Sequence, residues 1–203
     1  MTVDPRRAYF DDIADRWDGW DDLGALGRRL AAGLEELGVG ADERVIDLGC
    51  GTGNLSAALL ERLGPSGRVI AVDFSRRMLA AAAAKLRDAR LTLLLADGVR
   101  LPLAGGSIDR IVCYSTWPHF TDHAAAAREH ARVLRPGGML HVWHGASRHV
   151  INGIHADAGG AVGGDVLPPA AELAATIAAA GFVVTGEIDG DRYLVSACRT
   201  EER

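Results

Sequence analysis

The chain has 203 residues, of which 48% are hydrophobic and 24% are charged, and its formal net charge at pH 7 is −5. This size suits one domain with a substantial core, and no apolar run approaches the roughly 18 residues that a membrane helix needs. The negative charge weighs against a nucleic acid, because proteins that bind one usually carry a basic patch. We therefore expect a small-molecule partner, no nucleic acid and no membrane, while the sequence leaves the oligomeric state open.

The N-terminus and the cysteines indicate the cellular compartment. The opening MTVDPRRAYFDD has no apolar stretch behind its basic residues, unlike a secretory signal peptide. Cys50, Cys113 and Cys198 are odd in number and form no CxxC pair, which suits reduced thiols better than disulfides or a zinc knuckle. The sequence predicts a cytoplasmic protein.

The chain alternates predicted strands and helices. After two helical patterns at about 5–17 and 22–37, five apolar runs indicate buried parallel strands: RVIDL, RVIAV, LTLLLA, DRIVCY and MLHVWH. Stretches rich in alanine, leucine and arginine separate them and favour helix. Near the end, FVVTGEIDGDRYLVSAC indicates two strands around Asp189 and Gly190. The pattern predicts an α/β fold with a doubly wound, mostly parallel sheet whose last strand is antiparallel.

A glycine-rich turn follows the first predicted strand. In VIDLGCGTGNLS the strand ends at Asp47, and Gly49, Gly51 and Gly53 precede a helix. In doubly wound sheets, ligands bind at such a strand-to-helix turn, where glycine lets them approach the backbone closely. The turn is therefore the leading candidate for a cofactor site.

Carboxylates also follow the next two predicted strands. Asp73 closes the second strand, where it can accept hydrogen bonds from ribose hydroxyls. Asp97 closes the third, where it can accept a hydrogen bond from the exocyclic amine of an adenine, and Gly98 beside it offers backbone polar groups. Three carboxylates at three successive strand ends make an ordinary helix entry an unlikely explanation for the glycine turn.

Two kinds of cofactor fit this arrangement. A dinucleotide fingerprint requires GxGxxG, but position 54 is Asn and the glycines are spaced GxGxG. The chain instead resembles the class I S-adenosylmethionine-dependent methyltransferases. The resemblance rests on DLGCGTG at 47–53, VDFS at 72–75, ADGVRLPL at 96–103, IDRIVCYSTWPHF at 108–120 and RVLRPGG at 132–138.

The resemblance implies a fold and a set of cofactor contacts. The family's sheet has seven strands with the last one antiparallel. Asp47 and the glycine turn would hold the methionine part of S-adenosylmethionine, Asp73 the ribose and Asp97 the adenine, with Phe74 packed on the adenine face. The full predicted cofactor set is Asp47, Gly49, Gly51, Gly53, Asp73, Phe74, Asp97, Gly98 and Tyr114.

The resemblance also suggests an organisation of the single domain, 1–203. Residues 1–40 would form a helical lid, with Tyr9, Trp17 and Trp20 over the cofactor. Residues 41–145 would form the cofactor-binding core. Residues 146–203 would supply a substrate-side helix, a glycine-rich loop at 159–169 and the terminal hairpin.

Four of the seven histidines lie in HVWHGASRHVINGIH, residues 141–155. His141 and His144 are three apart in one strand, so they point to opposite faces and cannot chelate one ion as a pair. We expect His141 to be a hydrogen-bonded core residue. His144 ends its strand on the cofactor edge and is a candidate site residue.

The next segment, SRHVINGIHAD, is predicted to be a short helix capped by Ser147. Arg148, Asn152 and His155 share one polar stripe of this helix. His149 falls outside the stripe and is expected to be solvated. A group of bacterial methyltransferase-like proteins carries a similar HxxSRxxINxxH arrangement.

One histidine outside this segment completes the predicted pocket. His119 follows the fourth strand, and in the family this segment lies beside the methyl donor, whereas His123 and His130 are expected at the surface. The predicted catalytic residues are His119, His144 and His155. The predicted substrate-binding residues are Arg148, Asn152, Trp117, Phe120, Tyr9 and Trp17.

The histidines leave three roles open: a general base or substrate anchor, ranked first, a divalent metal site, and structural residues. The sequence therefore favours a methyltransferase that acts on a small molecule by in-line transfer, with S-adenosylmethionine as cofactor and a metal possible but not favoured. The alternatives are a non-catalytic S-adenosylmethionine-binding sensor or partner subunit, and a metal-dependent methyltransferase that uses the three histidines.

Overall fold

A computed structural model describes residues 4–200, so the ends of the predicted range 1–203 lie outside the described residues. The chain divides into two compact units, Met1–Asp97 and Gly98–Arg203. The helices and strands of the first unit are α1 (Pro5–Ile13), a 3-10 turn (Trp17–Trp20), α2 (Leu23–Glu36), β1 (Arg44–Leu48), α3 (Asn54–Arg62), β2 (Arg68–Asp73), α4 (Arg76–Lys85) and β3 (Leu91–Leu95).

The strands of the first unit are parallel, with β2 between β1 and β3. All residues of β1 and β2 except the first of each are buried, which explains why both strands appear in the sequence as continuous apolar runs. Side chains cap the N-termini of two of these helices. Asp22 accepts a hydrogen bond from the N–H of Ala25 at the start of α2, and Ser75 accepts one from the N–H of Met78 at the start of α4.

The second unit contains the other four strands. Its elements are β4 (Ile108–Tyr114), a 3-10 turn (Trp117–His119), α5 (His123–Val133), β5 (Leu134–His144), α6 (Arg148–Ala158), α7 (Ala170–Ala179), β6 (Phe182–Asp189) and β7 (Tyr193–Arg199). Strand β5 is parallel to β4 and antiparallel to β7, which also pairs with β6 in an antiparallel hairpin.

The strand order is β3-β2-β1-β4-β5-β7-β6 in a seven-stranded sheet. This order confirms the predicted α/β fold. Strand β7 lies between β5 and the edge strand β6 and runs antiparallel to both. Every predicted strand forms, although β5 begins five residues before the predicted MLHVWH. Helix α7, which packs on β6 and β7, has no counterpart among the predicted elements. None of the described helices is long and apolar enough to span a membrane.

Candidate active site

The turn after β1 has the backbone conformation that its glycines predict. Gly49, Gly51 and Gly53 have φ angles of 71°, 52° and 87°, in the region that favours glycine. A Cβ atom on Gly53 would lie 2.8 Å from Cδ1 of Leu86, so a larger residue here would also require the Leu86 side chain to move. The turn therefore brings bare backbone to the carboxyl end of β1, the place where a ligand approaches such sheets.

Asp73, predicted to bind ribose, also holds this turn together. Its Oδ2 accepts a hydrogen bond of 2.9 Å from the N–H of Gly51, and its Oδ1 accepts one of 2.8 Å from the N–H of Ser75. Burial raises the pKa of Asp73, while these backbone donors oppose the rise. Each carboxylate oxygen can accept more than one hydrogen bond, so these contacts leave capacity for a ribose hydroxyl.

Asp47 is only 1% exposed, and the hydroxyl of Ser56 donates a 2.6 Å hydrogen bond to its Oδ2. Burial raises the pKa of Asp47 to about 7, and the charge of nearby Asp73 contributes to the rise. A cation beside the two carboxylates would lower both pKa values again. The acidic groups and the glycine turn thus suit S-adenosylmethionine, which carries an ammonium and a sulfonium group.

The N-terminal segment covers the glycine turn. The indole nitrogen of Trp17 would lie 3.9 Å from a Cβ placed on Gly51. The rings of Phe10 and Phe74 meet edge to face at 5.8 Å, and the guanidinium of Arg7 lies 5.9 Å from the centre of the Phe74 ring. These contacts are compatible with a lid, whose role stays a prediction.

Hydrogen bonds and an ion pair at Asp18 connect this segment to the turn. The carboxylate of Asp18 accepts hydrogen bonds from Thr52 Oγ1 at 2.6 Å, Asn54 Nδ2 at 3.1 Å and Lys85 Nζ at 2.7 Å. We call these four residues the Asp18 cluster. No sequence pattern singles out Asp18, because its partners lie 34 to 67 positions further along the chain.

The remaining predicted cofactor residues lie as follows. Strand β3 ends at Leu95, so Asp97 comes two residues after the strand, where it is exposed. In the second unit, the backbone carbonyl of Gly98 accepts a hydrogen bond from His130 Nε2 at 3.1 Å. Tyr114 packs against Trp143 with ring centres 4.7 Å apart. Their cofactor roles stay predictions.

In the second unit, Asp165 binds two of the three predicted catalytic histidines. Nδ1 of His119 lies 2.8 Å from Asp165 Oδ2, and Nδ1 of His155 lies 2.8 Å from the backbone oxygen of Asp165. The two imidazole rings are 4.8 Å apart. Asp165 is only 3% exposed. The sequence interpretation missed it inside the glycine-rich loop, where the only signal was a single acidic residue among glycines.

His144 belongs to the same group. It is 1% exposed, and its pKa is lowered to about 3 by burial and by the neighbouring His119 and His155. The structure thus brings together the three residues that we call the histidine cluster, His119, His144 and His155. Their catalytic role stays a prediction.

The other predicted substrate-binding residues have structural partners. Arg148 Nε lies 3.3 Å from Asp189 Oδ2. The side chain of Asn152 is bound on both sides by the backbone of Leu167, donating at 3.1 Å and accepting at 2.7 Å. Trp117 is fully buried and packs edge to face on Phe120 at 5.5 Å.

Among the other histidines, one expectation was wrong. His130 is fully buried rather than at the surface, and burial lowers its pKa to about 4. His123 is half-buried beside Trp117. His149 is exposed as expected. His141 is the predicted core residue, bonded to Ser196 Oγ at 2.9 Å.

The structure gives the metal alternative no support. Within residues 4–200, no three His, Cys, Asp or Glu side chains are grouped so that they could hold a metal ion. In the histidine cluster, Nδ1 of both His119 and His155 is already engaged by Asp165.

Comparison with known proteins relates the chain to methyltransferases. Residues 45–138 match the family described as "Methyltransferase domain". A chain of a SAM-dependent methyltransferase from Aquifex aeolicus has the same fold, with a TM-score of 0.68 at 20% identity over 98% of this chain and 99% of that one. The chain is thus similar to methyltransferases in sequence over residues 45–138, and its fold is similar over almost its whole length. That neighbour is described as dependent on S-adenosylmethionine, the cofactor that the sequence predicts for this chain.

Two curated relatives extend the comparison. Methyltransferase GfsG of Streptomyces halstedii is 38% identical over 59% of this chain and 44% of its own length. The demethylmenaquinone methyltransferase of Mycolicibacterium vanbaalenii is 37% identical over 69% of this chain and 60% of its own length. The chain thus spans about half the length of the curated relatives that it matches.

Proposed function

We propose that the protein transfers a methyl group from S-adenosylmethionine to a small molecule, and that the histidine cluster binds this acceptor and takes up its proton. When bound, the cofactor supplies an electrophilic methyl group on a sulfonium. The relatives named as demethylmenaquinone methyltransferases support a small-molecule acceptor, and so does the net charge of −5.

The observation that carries the proposal is the contact of buried Asp165 with two histidines. A backbone carbonyl only accepts hydrogen bonds, so His155 must carry its proton on Nδ1. A carboxylate favours the same tautomer in His119. In both neutral rings the lone pair is then on Nε2, which is the form that a proton acceptor needs.

The chemistry assigned to this chain follows from that tautomer. Nε2 of His119 would take up the proton that the acceptor atom loses when it is methylated and S-adenosylhomocysteine is left, and the carboxylate of Asp165 would stabilise the resulting imidazolium. Proton uptake by a positioned imidazole typically contributes about 10²- to 10⁴-fold to a rate. The buried surroundings strengthen the interaction because little water screens it.

The proposal is tested by titrating the protein with S-adenosylmethionine and then measuring S-adenosylhomocysteine formed in the presence of a reduced demethylmenaquinone analogue and other hydroxylated aromatic compounds. We expect cofactor binding, and product formation that depends on an acceptor. Binding without turnover for any acceptor would favour the non-catalytic alternative, and no binding would refute the proposal.

A further inference from the structure

His144 and Tyr193 form an unusual pair at the end of β5 and the start of β7. They lie directly opposite each other in the antiparallel ladder, and their rings meet edge to face with centres 5.8 Å apart. His144 is 1% exposed and Tyr193 is fully buried. Neither ring nitrogen of His144, nor the Tyr193 hydroxyl, has a hydrogen-bond partner among residues 4–200.

The same two strands show how a buried polar pair is normally satisfied. Three positions earlier in β5, His141 lies opposite Ser196 of β7. There, Nδ1 of His141 bonds to Ser196 Oγ at 2.9 Å, and Nε2 lies 2.6 Å from Arg110. Buried side-chain polar atoms nearly always have such partners, and an exception needs an explanation.

Packing alone does not explain the exception. Phenylalanine in place of Tyr193 would fill the same space without burying a hydroxyl, and an apolar residue in place of His144 would avoid burying two ring nitrogens. The unsatisfied pair also belongs in part to the histidine cluster, because His144 is one of its three members and its pKa is lowered by His119 and His155. A ligand group bound at this pair would satisfy the Tyr193 hydroxyl and one ring nitrogen of His144.

We propose that Tyr193 and His144 bind a hydroxyl group of the acceptor substrate: the Tyr193 hydroxyl donates a hydrogen bond to its oxygen, and a ring nitrogen of His144 accepts a hydrogen bond from it. The inference rests on the proposed function and defines its substrate class as alcohols and phenols. Tyr193 is thereby a further substrate-binding residue.

The electrostatics of the pair favour an uncharged ligand group. Burial lowers the pKa of His144 to about 3 and raises that of Tyr193, so both side chains are neutral near pH 7. A charged group would lose its hydration here without gaining an opposite charge from the pair. A neutral hydroxyl, which donates once and accepts, matches the donor and acceptor that the two side chains provide.

The test uses phenol as the probe and toluene as its control without a hydroxyl. Each is titrated into protein saturated with S-adenosylhomocysteine, and the ¹⁵N signals of the His144 imidazole are followed by NMR. We expect phenol to shift these signals, and Tyr193→Phe to weaken phenol binding by about tenfold, the effect of losing one good hydrogen bond. Toluene should bind both proteins equally.

Ser196→Ala provides a matched control, because it removes a hydroxyl from the same strand that does have a partner. This variant should melt below wild type and bind phenol normally. Tyr193→Phe should melt at or above the wild-type temperature, since it removes an unsatisfied buried hydroxyl.

The inference is overturned if phenol leaves the His144 signals unshifted up to its solubility limit, if Tyr193→Phe binds phenol as tightly as wild type, or if that variant melts well below wild type. S-adenosylhomocysteine binding is measured first. Its absence refutes the proposed function, whereas its presence with no phenol effect refutes only the hydroxyl site.

Discussion

Asp47 is predicted to destabilise the folded protein near neutral pH when it is measured without cofactor. Its folded-state pKa, raised to about 7 from 3.8 mainly by burial, means that the folded protein favours the neutral carboxyl. The resulting loss of stability is absent below pH 4, grows as the pH rises from about 4 to 7, and is complete above pH 7. Three pKa units correspond to a loss of at most about 4 kcal/mol in the free energy of unfolding.

Asp47→Asn removes this loss of stability, because the amide stays neutral and its oxygen can still accept the hydrogen bond from Ser56. The variant should therefore unfold at higher urea concentration than wild type at pH 8, and this difference should shrink steadily towards pH 5. It should also bind S-adenosylmethionine more weakly, since it has no charge to offer the cofactor's ammonium group. Stability and function would then oppose each other at one residue.

Urea unfolding at pH 5 to 8 and calorimetric titration of the cofactor measure both effects. Asp42→Asn, on an exposed turn of the same unit, is the control and should match wild type in each assay. The reasoning is refuted if Asp47→Asn is less stable than wild type at pH 8, if the stability difference does not vary with pH, or if cofactor affinity is unchanged.

Three further predictions concern the two units separately. Asp18→Asn should loosen the lid and raise the rate of cofactor association, measured by stopped-flow fluorescence, by about twofold to fivefold. The expected change is modest because the Asp18–Lys85 ion pair is partly exposed. An unchanged association rate would count against the lid. Asp165→Asn should lower turnover at least about tenfold, because His119 is then no longer held in the tautomer with its proton on Nδ1, and cofactor affinity should be unchanged. Full activity of this variant would exclude the assigned proton path. His155→Gln should impair turnover without lowering the melting temperature, whereas His149→Gln, at an exposed position, should change neither. A large loss of stability in His155→Gln would instead identify His155 as a core residue.

The sequence predicted the fold well because local patterns determine it. The continuous apolar runs of β1 and β2 and the glycines after β1 each carry a short-range signal. The extension of β5 to Leu134 was missed because RPGG has the composition of a turn, although the strand continues through it. Helix α7 was missed in a segment whose repeated alanines give a weak amphipathic pattern.

The site was predicted less completely, because its contacts join distant parts of the chain. Asp165 lies 46 residues from His119, and Tyr193 meets His144 only through the pairing of β5 with β7. His130 is expected at the surface of its helix, yet its ring is buried and donates a hydrogen bond to the carbonyl of Gly98. Periodicity identifies the face of a helix, whereas the partner of that face depends on the tertiary fold.

The central claim, that the first unit binds S-adenosylmethionine, is tested most directly by calorimetric titration of the wild-type protein and Asp73→Ala with S-adenosylmethionine and with NAD. The account predicts that wild type binds S-adenosylmethionine and not NAD. It also predicts that Asp73→Ala loses about 1.5–3 kcal/mol of binding free energy, the value of a hydrogen bond to a charged group. Binding of NAD alone, or unchanged S-adenosylmethionine affinity in Asp73→Ala, would contradict it.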